Sequence, residues 1–215
     1  MTPILKIPLF PLNVVILPEL SLPLHIFEER YKEMIGDCLE EDKEFGIVFM
    51  QGKQMRKVGC TAKIVQVLKH YDDDRMDILT VGKERFNILE ISEEKAYLES
   101  KVELFDDSIE EDSPQTTALK HKGMALLQRL EKTMQLRENL TMLEKLDSRT
   151  LSFIFGGSSV ITAKEKQELL EIKITSRRVE RSVELLQDAI QRARLIDEIK
   201  KRSPDENMAH GFSKN

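Results

Sequence analysis

The sequence predicts an α+β protein in which a β-rich domain comes first and a helical domain follows. Short apolar segments, broken by prolines and turn residues, occupy the first part at about residues 1–107. From about residue 113 to residue 202, apolar side chains recur every three or four positions, the period of amphipathic helices. An acidic run at 106–112 separates the two parts. We predict that this run is solvated and that residues 108–112 form a linker.

The first strands are predicted within a proline-rich stretch at residues 7–31, which reads IPLFPLNVVILPELSLPLHIFEERY. Because each proline fixes φ and lacks an amide donor, a long helix or an uninterrupted central strand is disfavoured. We expect two or three short extended segments instead, near residues 4–9, 13–17 and 22–26. A helix should follow, since one buried stripe has the right spacing in Tyr31, Met34, Ile35, Cys38 and Leu39.

Later apolar segments predict strands at about 45–50, 60–70, 76–81, 86–91 and 96–105. A polar loop is expected at 51–57 and a turn at Gly82-Lys83. The strand at 60–70 carries apolar residues on both faces, which favours a coiled sheet or a small barrel over a flat sheet.

Capping signals mark the helices of the second part. Ser113-Pro114 predicts a helix start, and Gly156-Gly157 predicts the end of a short helix at 150–155. Thr162 and Glu165 have the spacing of a capping box, and Ser176 is expected to cap the last helix. The last helix carries a seam that suits either a helical bundle or a homodimer, formed by Val179, Val183, Leu186, Ile190 and Ala193. The polar tail from residue 203 is predicted to be disordered.

Five blocks carry a resemblance to a known family. They read PLFPLNVVILP, LPLHIFEERYKEMI, FGIVF, VGCTAKIVQV and VGKERFNIL, in that order. The chain resembles the Lon amino-terminal, substrate-binding domain, in particular free-standing Lon-like proteins with an LPLHIFExRY block. The resemblance implies a PUA-like pseudo-barrel, followed by helices that match more loosely through KQELLE. Glu19 stands where the family usually has glycine, and Glu29 where it usually has proline.

The resemblance implies a protein-binding module and not an enzyme. It would recognise unfolded or flagged polypeptides, or serve as an adaptor, with a protease or a chaperone as a further partner. No phosphate-binding glycine loop and no nucleophile elbow are present, so we expect neither the ATPase nor the protease domain of full Lon. No cofactor is expected.

Two sets of residues in the proline-rich stretch are candidates for polypeptide binding. The apolar set, which either borders an open groove or packs in the core, is Phe10, Leu17, Leu20 and Leu22. The polar set is His25, Glu28 and Arg30. These residues either lie at that groove or have structural roles, with His25 hydrogen-bonded in the core, Glu28 near the helix start and Arg30 in a local pair.

The alternative function is RNA binding, which the PUA-like fold would allow. A basic cluster opens the last helix and consists of Lys173, Arg177, Arg178 and Arg181. No aromatic residue lies among them to stack on bases, and Glu180 and Glu184 dilute the charge. The formal net charge of −5 also argues against nonspecific nucleic-acid binding.

The sequence gives no signal for a metal site or a membrane span. The four histidines lack ligand spacing, and His70 beside three aspartates predicts a solvated turn. Cys38 and Cys60 are expected to be buried thiols. Because no signal peptide and no run of 18 apolar residues is visible, we predict a cytoplasmic protein without a membrane span.

Overall fold

The sheet of this protein closes on itself through one long strand. The computed structural model describes residues 3–108, 113–134 and 140–202. Its strands are β1 Ile4–Leu12, β2 Ser21–Ile26, β3 Phe45–Gln51, β4 Gln54–His70, β5 Met76–Ser92 and β6 Leu98–Phe105. They lie in the order β2-β5-β4-β3-β1-β6, and β5 also pairs with β6. The first half of β5 therefore holds β2, while its second half closes a barrel with β6.

The helices follow the expected order. They are α1 Glu29–Glu40, α2 Pro114–Met134, α3 Ser148–Gly157, α4 Ala163–Glu171 and α5 Thr175–Arg202, with a 3-10 helix at Leu140–Lys145. This confirms the α+β class, with a β-rich part followed by helices. The predicted linker, apart from Ser108, and the tail at 203–215 lie outside the described residues, and the division into two domains stays a prediction.

Strand β1 runs straight through Pro8 and Pro11, so the expectation of turns at these prolines was wrong. The strand pairs with β6 over residues 4–9 and with β3 only from Leu9 to Leu12. Among the described residues, each half therefore has one edge without a ladder, where a missing N–H costs no hydrogen bond. The segment at 13–17 is not a strand, and the next strand begins at Ser21.

Two predicted interruptions of the sheet are also wrong. The expected loop at 51–57 is a tight hairpin at Gly52, whose φ is +60°, and β4 begins at Gln54. The expected turn at Gly82-Lys83 lies inside β5, where the register against β4 shifts between Cys60 and Ala62. Two residues of β5 thus oppose one residue of β4, so the glycine marks a β-bulge.

A type II turn connects the proline-rich segment to β2. The Leu20 N–H donates to the Leu17 carbonyl at 3.2 Å, Pro18 occupies the second position and Glu19 the third, with a φ of +65°. This third position favours glycine, which is the residue that the family usually has there. Glu29, the other departure, is the first residue of α1, where proline is favoured because its missing N–H is not needed.

Glu19→Gly should raise the free energy of unfolding by about 0.5–1 kcal/mol. The left-handed conformation costs an L-residue about 1–2 kcal/mol, and the greater backbone freedom of unfolded glycine offsets part of the gain. The midpoint of thermal unfolding should rise by about 1–4 °C. Glu19→Ala is the matched control, because it removes the carboxylate but keeps Cβ, and its stability should stay near that of the parent. Equal stabilisation by both changes would assign the effect to charge.

The core lies between α1, the sheet and the helical part. Tyr31, Met34, Ile35 and Cys38 are buried as predicted, but Leu39 is exposed because α1 turns it away from the sheet. The same cluster contains residues of α3 and α4, among them Phe153 and Leu170. The helical part is therefore packed against the β-rich part.

The seam of α5 is buried within the chain. Val183, Leu186 and Ile190 pack with residues of α2, α3 and α4, and Val179 is buried as well, whereas Ala193 is exposed. The seam therefore serves the bundle, and the homodimer stays a prediction. The capping box at Thr162 and Glu165 and the cap at Ser113 are confirmed, while α5 begins at Thr175 instead of after Ser176.

Candidate functional site

Two of the four apolar candidates for polypeptide binding are core residues. Phe10 is 5% exposed and its ring centroid lies 4.0 Å from that of Tyr31 on α1. Leu17 is 1% exposed, because the type II turn directs it under β5 and towards Gly156 of α3. Neither side chain reaches solvent, so the proposed groove cannot include them.

Leu20 and Leu22 are half-buried and pack against the same core. Leu20 lies directly over Gly157, so closely that a Cβ built there would be 2.2 Å from its Cδ1. The Leu22 carbonyl accepts a hydrogen bond from Thr80 Oγ1 at 2.8 Å. The turn that carries Leu20 is thus held against α3 and is not an exposed loop.

An exposed aromatic surface lies where β2 ends and α1 begins. Phe27 is 59% exposed and stacks on His25, with 5.9 Å between the ring centroids. His25 Nδ1 donates to Asp77 Oδ1 at 2.6 Å, and the Tyr71 hydroxyl donates to Asp77 Oδ2 at 2.8 Å. Both hydrogen bonds lower the pKa of the Asp77 carboxyl, and the bond from His25 has the larger effect. We call this set, His25, Phe27, Tyr71 and Asp77, the Phe27 surface.

Glu28 and Arg30 border the Phe27 surface and pair with each other. Arg30 Nε donates to Glu28 Oε2 at 3.0 Å, and its guanidinium lies 4.5 Å from the centroid of the Tyr31 ring. Both side chains remain about half exposed. Sequence reasoning missed Phe27, although it lies within the LPLHIFEERY block and directly follows the last buried residue of β2.

The basic cluster of α5 does not form a continuous surface. Arg178 is fully buried, which corrects its assignment as an RNA-binding candidate. Arg181 lies 3.2 Å from carboxylate oxygens of both Glu168 and Glu184. Lys173 lies over the Phe105 ring, and Arg177 shares a shallow pocket with several glutamates of α4 and α5. The positive charge is therefore divided among separate partners.

Arg178 belongs to a buried ion-pair network that joins the two parts of the chain. The Asp107 carboxylate accepts hydrogen bonds from Arg178, Arg85 and Thr175, one of them at 2.8 Å from Arg178 Nη1. Both arginine side chains are fully buried and that of Asp107 is 6% exposed, so the expectation of a solvated Asp107 was wrong. The Phe153 ring lies 4.1 Å from the Arg178 guanidinium and 5.5 Å from that of Arg85.

A cleft of about 760 Å³ opens where β1 separates from β3. One wall is formed by the start of β1, and the cleft is lined by Leu5, Lys6, Ile7, Pro8, Glu19, Lys43, Glu44, Thr61, Lys83, Glu84, Leu104, Asp106 and Arg149. We call it the β1 cleft. No motif in the sequence indicated it, because it depends on where two strands part.

Across residues 3–108, 113–134 and 140–202, no group of three or more His, Cys, Asp or Glu side chains is placed to hold a metal ion. The three aspartates after His70 form a turn in which Tyr71 N–H donates to the Arg75 carbonyl at 2.9 Å. No helix in the described part of the chain is long and apolar enough to cross a membrane. The cytoplasmic location stays a prediction.

The fold and its surfaces define a small β-barrel module with a helical extension packed against it. A family model described as the ATP-dependent protease La (LON) substrate-binding domain matches residues 6–188, which span both parts of the chain. The chain therefore belongs to the Lon substrate-binding domain family.

Similar proteins agree with this assignment. A Lon protease of Flavobacterium johnsoniae is 23% identical over 92% of this chain, and Lon protease 2 of Myxococcus xanthus is 25% identical over 84%. The chain spans about a quarter of these relatives, 26% and 23% of their lengths.

Solved structures show the same fold. The N-terminal domain of a Mycobacterium avium complex Lon protease has a TM-score of 0.69 and 20% identity, covering 85% of this chain and 98% of that one. A Lon N-terminal domain protein from Xanthomonas campestris has a TM-score of 0.63 and 21% identity, covering 82% and 95%.

Proposed function

We propose that this protein is a non-enzymatic binding module that recognises unfolded or flagged polypeptides through the Phe27 surface. Membership of a substrate-binding domain family supports polypeptide recognition. The exposure of Phe27 is the observation that carries the assignment of the surface. An aromatic side chain exposed by more than half on a folded domain is typical of a contact that partner binding would bury.

The surroundings of Phe27 suit a partner of varied sequence. His25 and Tyr71 provide flat aromatic area, while Glu28, Arg30 and Asp77 form a polar rim, the usual arrangement of a protein interface. Burial of the apolar centre of this surface places little constraint on the sequence of the partner. Of the residues predicted from the sequence, His25, Glu28 and Arg30 remain accessible on this surface, and Leu22 lies half-buried on the strand that leads to it.

Neither cysteine offers an activated nucleophile for catalysis. Burial raises the pKa of Cys38 to about 11 and that of Cys60 to about 12, so neither is a thiolate at neutral pH. In this proposal the protein leaves its client intact and acts as an adaptor that passes the client to a protease or a chaperone.

The RNA-binding alternative has less support. Arg178 is enclosed by Asp107 and Ser152, and Arg181 is shared by two glutamates. A basic patch that binds RNA needs cations free to contact phosphates.

Phe27→Ala should weaken binding of a reduced and carboxymethylated, permanently unfolded protein by about tenfold. This corresponds to about 1.4 kcal/mol, the scale expected for losing part of a buried aromatic contact. The Kd is measured by fluorescence anisotropy with a labelled client, and the client should be recovered at full length with or without ATP and Mg²⁺. Because apolar burial dominates, the Kd should change little between low and high salt.

Leu195→Ala is the matched control, since Leu195 is also 59% exposed but lies on α5. It should leave the Kd unchanged. Equal affinity of the parent and Phe27→Ala would place the polypeptide site elsewhere. Binding of a labelled RNA that is lost steeply with salt, in a protein that ignores the unfolded client, would favour the alternative.

A further inference from the structure

The first half of β1 presents an unpaired backbone edge. The Leu104 N–H donates to the Pro3 carbonyl at 3.1 Å, and β1 continues antiparallel to β6 from there. In an antiparallel ladder, the N–H and C=O groups of one residue both point to the neighbouring strand on one side. Those of the next residue both point to the opposite side. Leu5 and Ile7 therefore face β6, whereas Ile4, Lys6 and Pro8 face the opposite side. On that side, strand pairing between described residues begins only at Leu9.

This free edge opens into the β1 cleft. Residues 5–8 line the cleft, and Thr61, Lys83 and Glu84 line it from the bulge between β4 and β5. Five residues of extended chain span about 17 Å, and a further strand would lie about 4.8 Å from β1. The cleft volume of about 760 Å³ gives space for such a segment beside the edge.

Four basic and four acidic side chains line the β1 cleft, and three of the basic ones are held in ion pairs. Lys6 pairs with Glu99 at 2.7 Å, Lys43 with Glu41, and Arg149 with Asp106 at 3.0 Å. The ion pairs between described residues do not involve Glu19, Glu44, Glu84 or Lys83. Three carboxylates thus face the cleft against one ammonium group, around apolar side chains of Leu5 and Leu104.

We propose that the β1 cleft binds an extended polypeptide segment by strand addition to the free edge of β1, and that it selects segments in which aliphatic residues alternate with lysine or arginine. Main-chain hydrogen bonds to Ile4, to Lys6 and to the Pro8 carbonyl would give affinity without regard to sequence. Because side chains alternate along a strand, one row would lie on the apolar wall and the other beside the carboxylates.

The inference rests on the proposed function in one respect, that the partner is a polypeptide, but it assigns a second surface. Glu19 at the cleft comes just before β2, and Phe27 comes just after it. Six residues of strand separate the two positions by about 20 Å. A substitution in the β1 cleft should therefore leave binding at the Phe27 surface unchanged, and a substitution at the Phe27 surface should leave binding in the cleft unchanged.

The test uses labelled ten-residue peptides of alternating leucine and lysine, or alternating leucine and glutamate, with the full-length protein. The lysine peptide should bind at least tenfold more tightly than the glutamate peptide in fluorescence anisotropy. Methylating alternate backbone nitrogens on its pairing edge should abolish binding, since strand addition needs those N–H groups. The double variant Glu44→Lys, Glu84→Lys should reverse the preference. Glu93→Lys, a charge reversal in the exposed turn between β5 and β6, should not.

The outcomes separate this inference from the proposed function. Equal binding of both peptides, or binding that survives backbone methylation, would overturn strand addition with charge selection. Loss of peptide binding in Phe27→Ala but not in the double variant would overturn the cleft while supporting the Phe27 surface. A dimer in sedimentation that the lysine peptide fails to displace would show a second copy on the edge, and would also overturn the inference.

Discussion

Replacing Asp107 with asparagine is expected to lower the free energy of unfolding by about 3–5 kcal/mol, because two buried arginines lose their counter-charge. Arg85 and Arg178 come from β5 and α5, and both lie fully out of solvent around this carboxylate. An amide of the same shape keeps the packing but cannot balance the guanidinium charges. The loss is measured by urea denaturation.

Asp106→Asn is the matched control for that change. Asp106 is the preceding residue, its side chain is 71% exposed, and it pairs with Arg149 at 3.0 Å. An exposed ion pair of this kind contributes less than about 1 kcal/mol. If the free energy of unfolding falls by the same small amount in both variants, the buried network does not hold the two parts of the chain together.

The effect of Asp107 should also depend on pH. Burial alone would raise the pKa of the Asp107 carboxyl. Hydrogen bonds from Arg178 and Thr175, together with the charges of Arg178 and Arg85, lower this pKa by more than burial raises it, so the net shift is downward. A lowered folded-state pKa gives stability that is complete above the ordinary value of about 4 and is lost as the pH falls through the folded value. The difference in stability between the parent and Asp107→Asn should therefore shrink below about pH 4.

Gly82→Ala should lower the free energy of unfolding by about 1–3 kcal/mol, the usual cost of overpacking. A Cβ at this position would lie 2.3 Å from the Leu17 carbonyl oxygen. That oxygen belongs to the type II turn, which is itself held to Gly82 by the hydrogen bonds Glu19 N–H to Gly82 O and Gly82 N–H to Leu20 O, both 2.9 Å. The backbone on both sides is fixed, so the clash cannot be relieved locally.

Gly157→Ala provides the comparison for Gly82→Ala. Its added Cβ would also clash, but with the Cδ1 atom at the end of the flexible Leu20 side chain. A rotation of Leu20 relieves that contact, so we expect a loss of less than about 1 kcal/mol. Thermal unfolding of the two variants side by side tests whether the turn is held by rigid backbone contacts. A smaller loss for Gly82→Ala than for Gly157→Ala would contradict this view.

Asp107 and Gly157 lie at contacts between the β-rich part and the helices, which share one core. Phe153 and Leu170 pack with residues of the barrel and α1, and Leu20 packs on the end of α3. The family match also runs through both parts, from residue 6 to residue 188. The proposed binding surfaces therefore lie on one connected scaffold, which keeps the Phe27 surface and the β1 cleft in a constant relation.

The sequence alone determined the features that depend on neighbouring residues. The stripe of α1 except Leu39, the capping box at Thr162 and the apolar face of α5 except Ala193 follow from spacings of three or four, because these residues meet on one face of a single helix. The family could also be predicted from five short blocks, since these carry strands and turns whose local chemistry is specific.

Only the tertiary structure decided which side chains are exposed and which charges are paired. Asp107 was expected to be solvated and Arg178 was a candidate for RNA binding, yet they meet across 71 positions in a buried network. Leu17 and Phe10 could border a groove or pack in the core and are found in the core, whereas Phe27 remains on the surface. The free edge of β1 exists because β3 joins it only from Leu9 onward. The burial of a side chain and the pairing of charges depend on contacts between distant segments of the chain. A local sequence pattern does not predict these contacts.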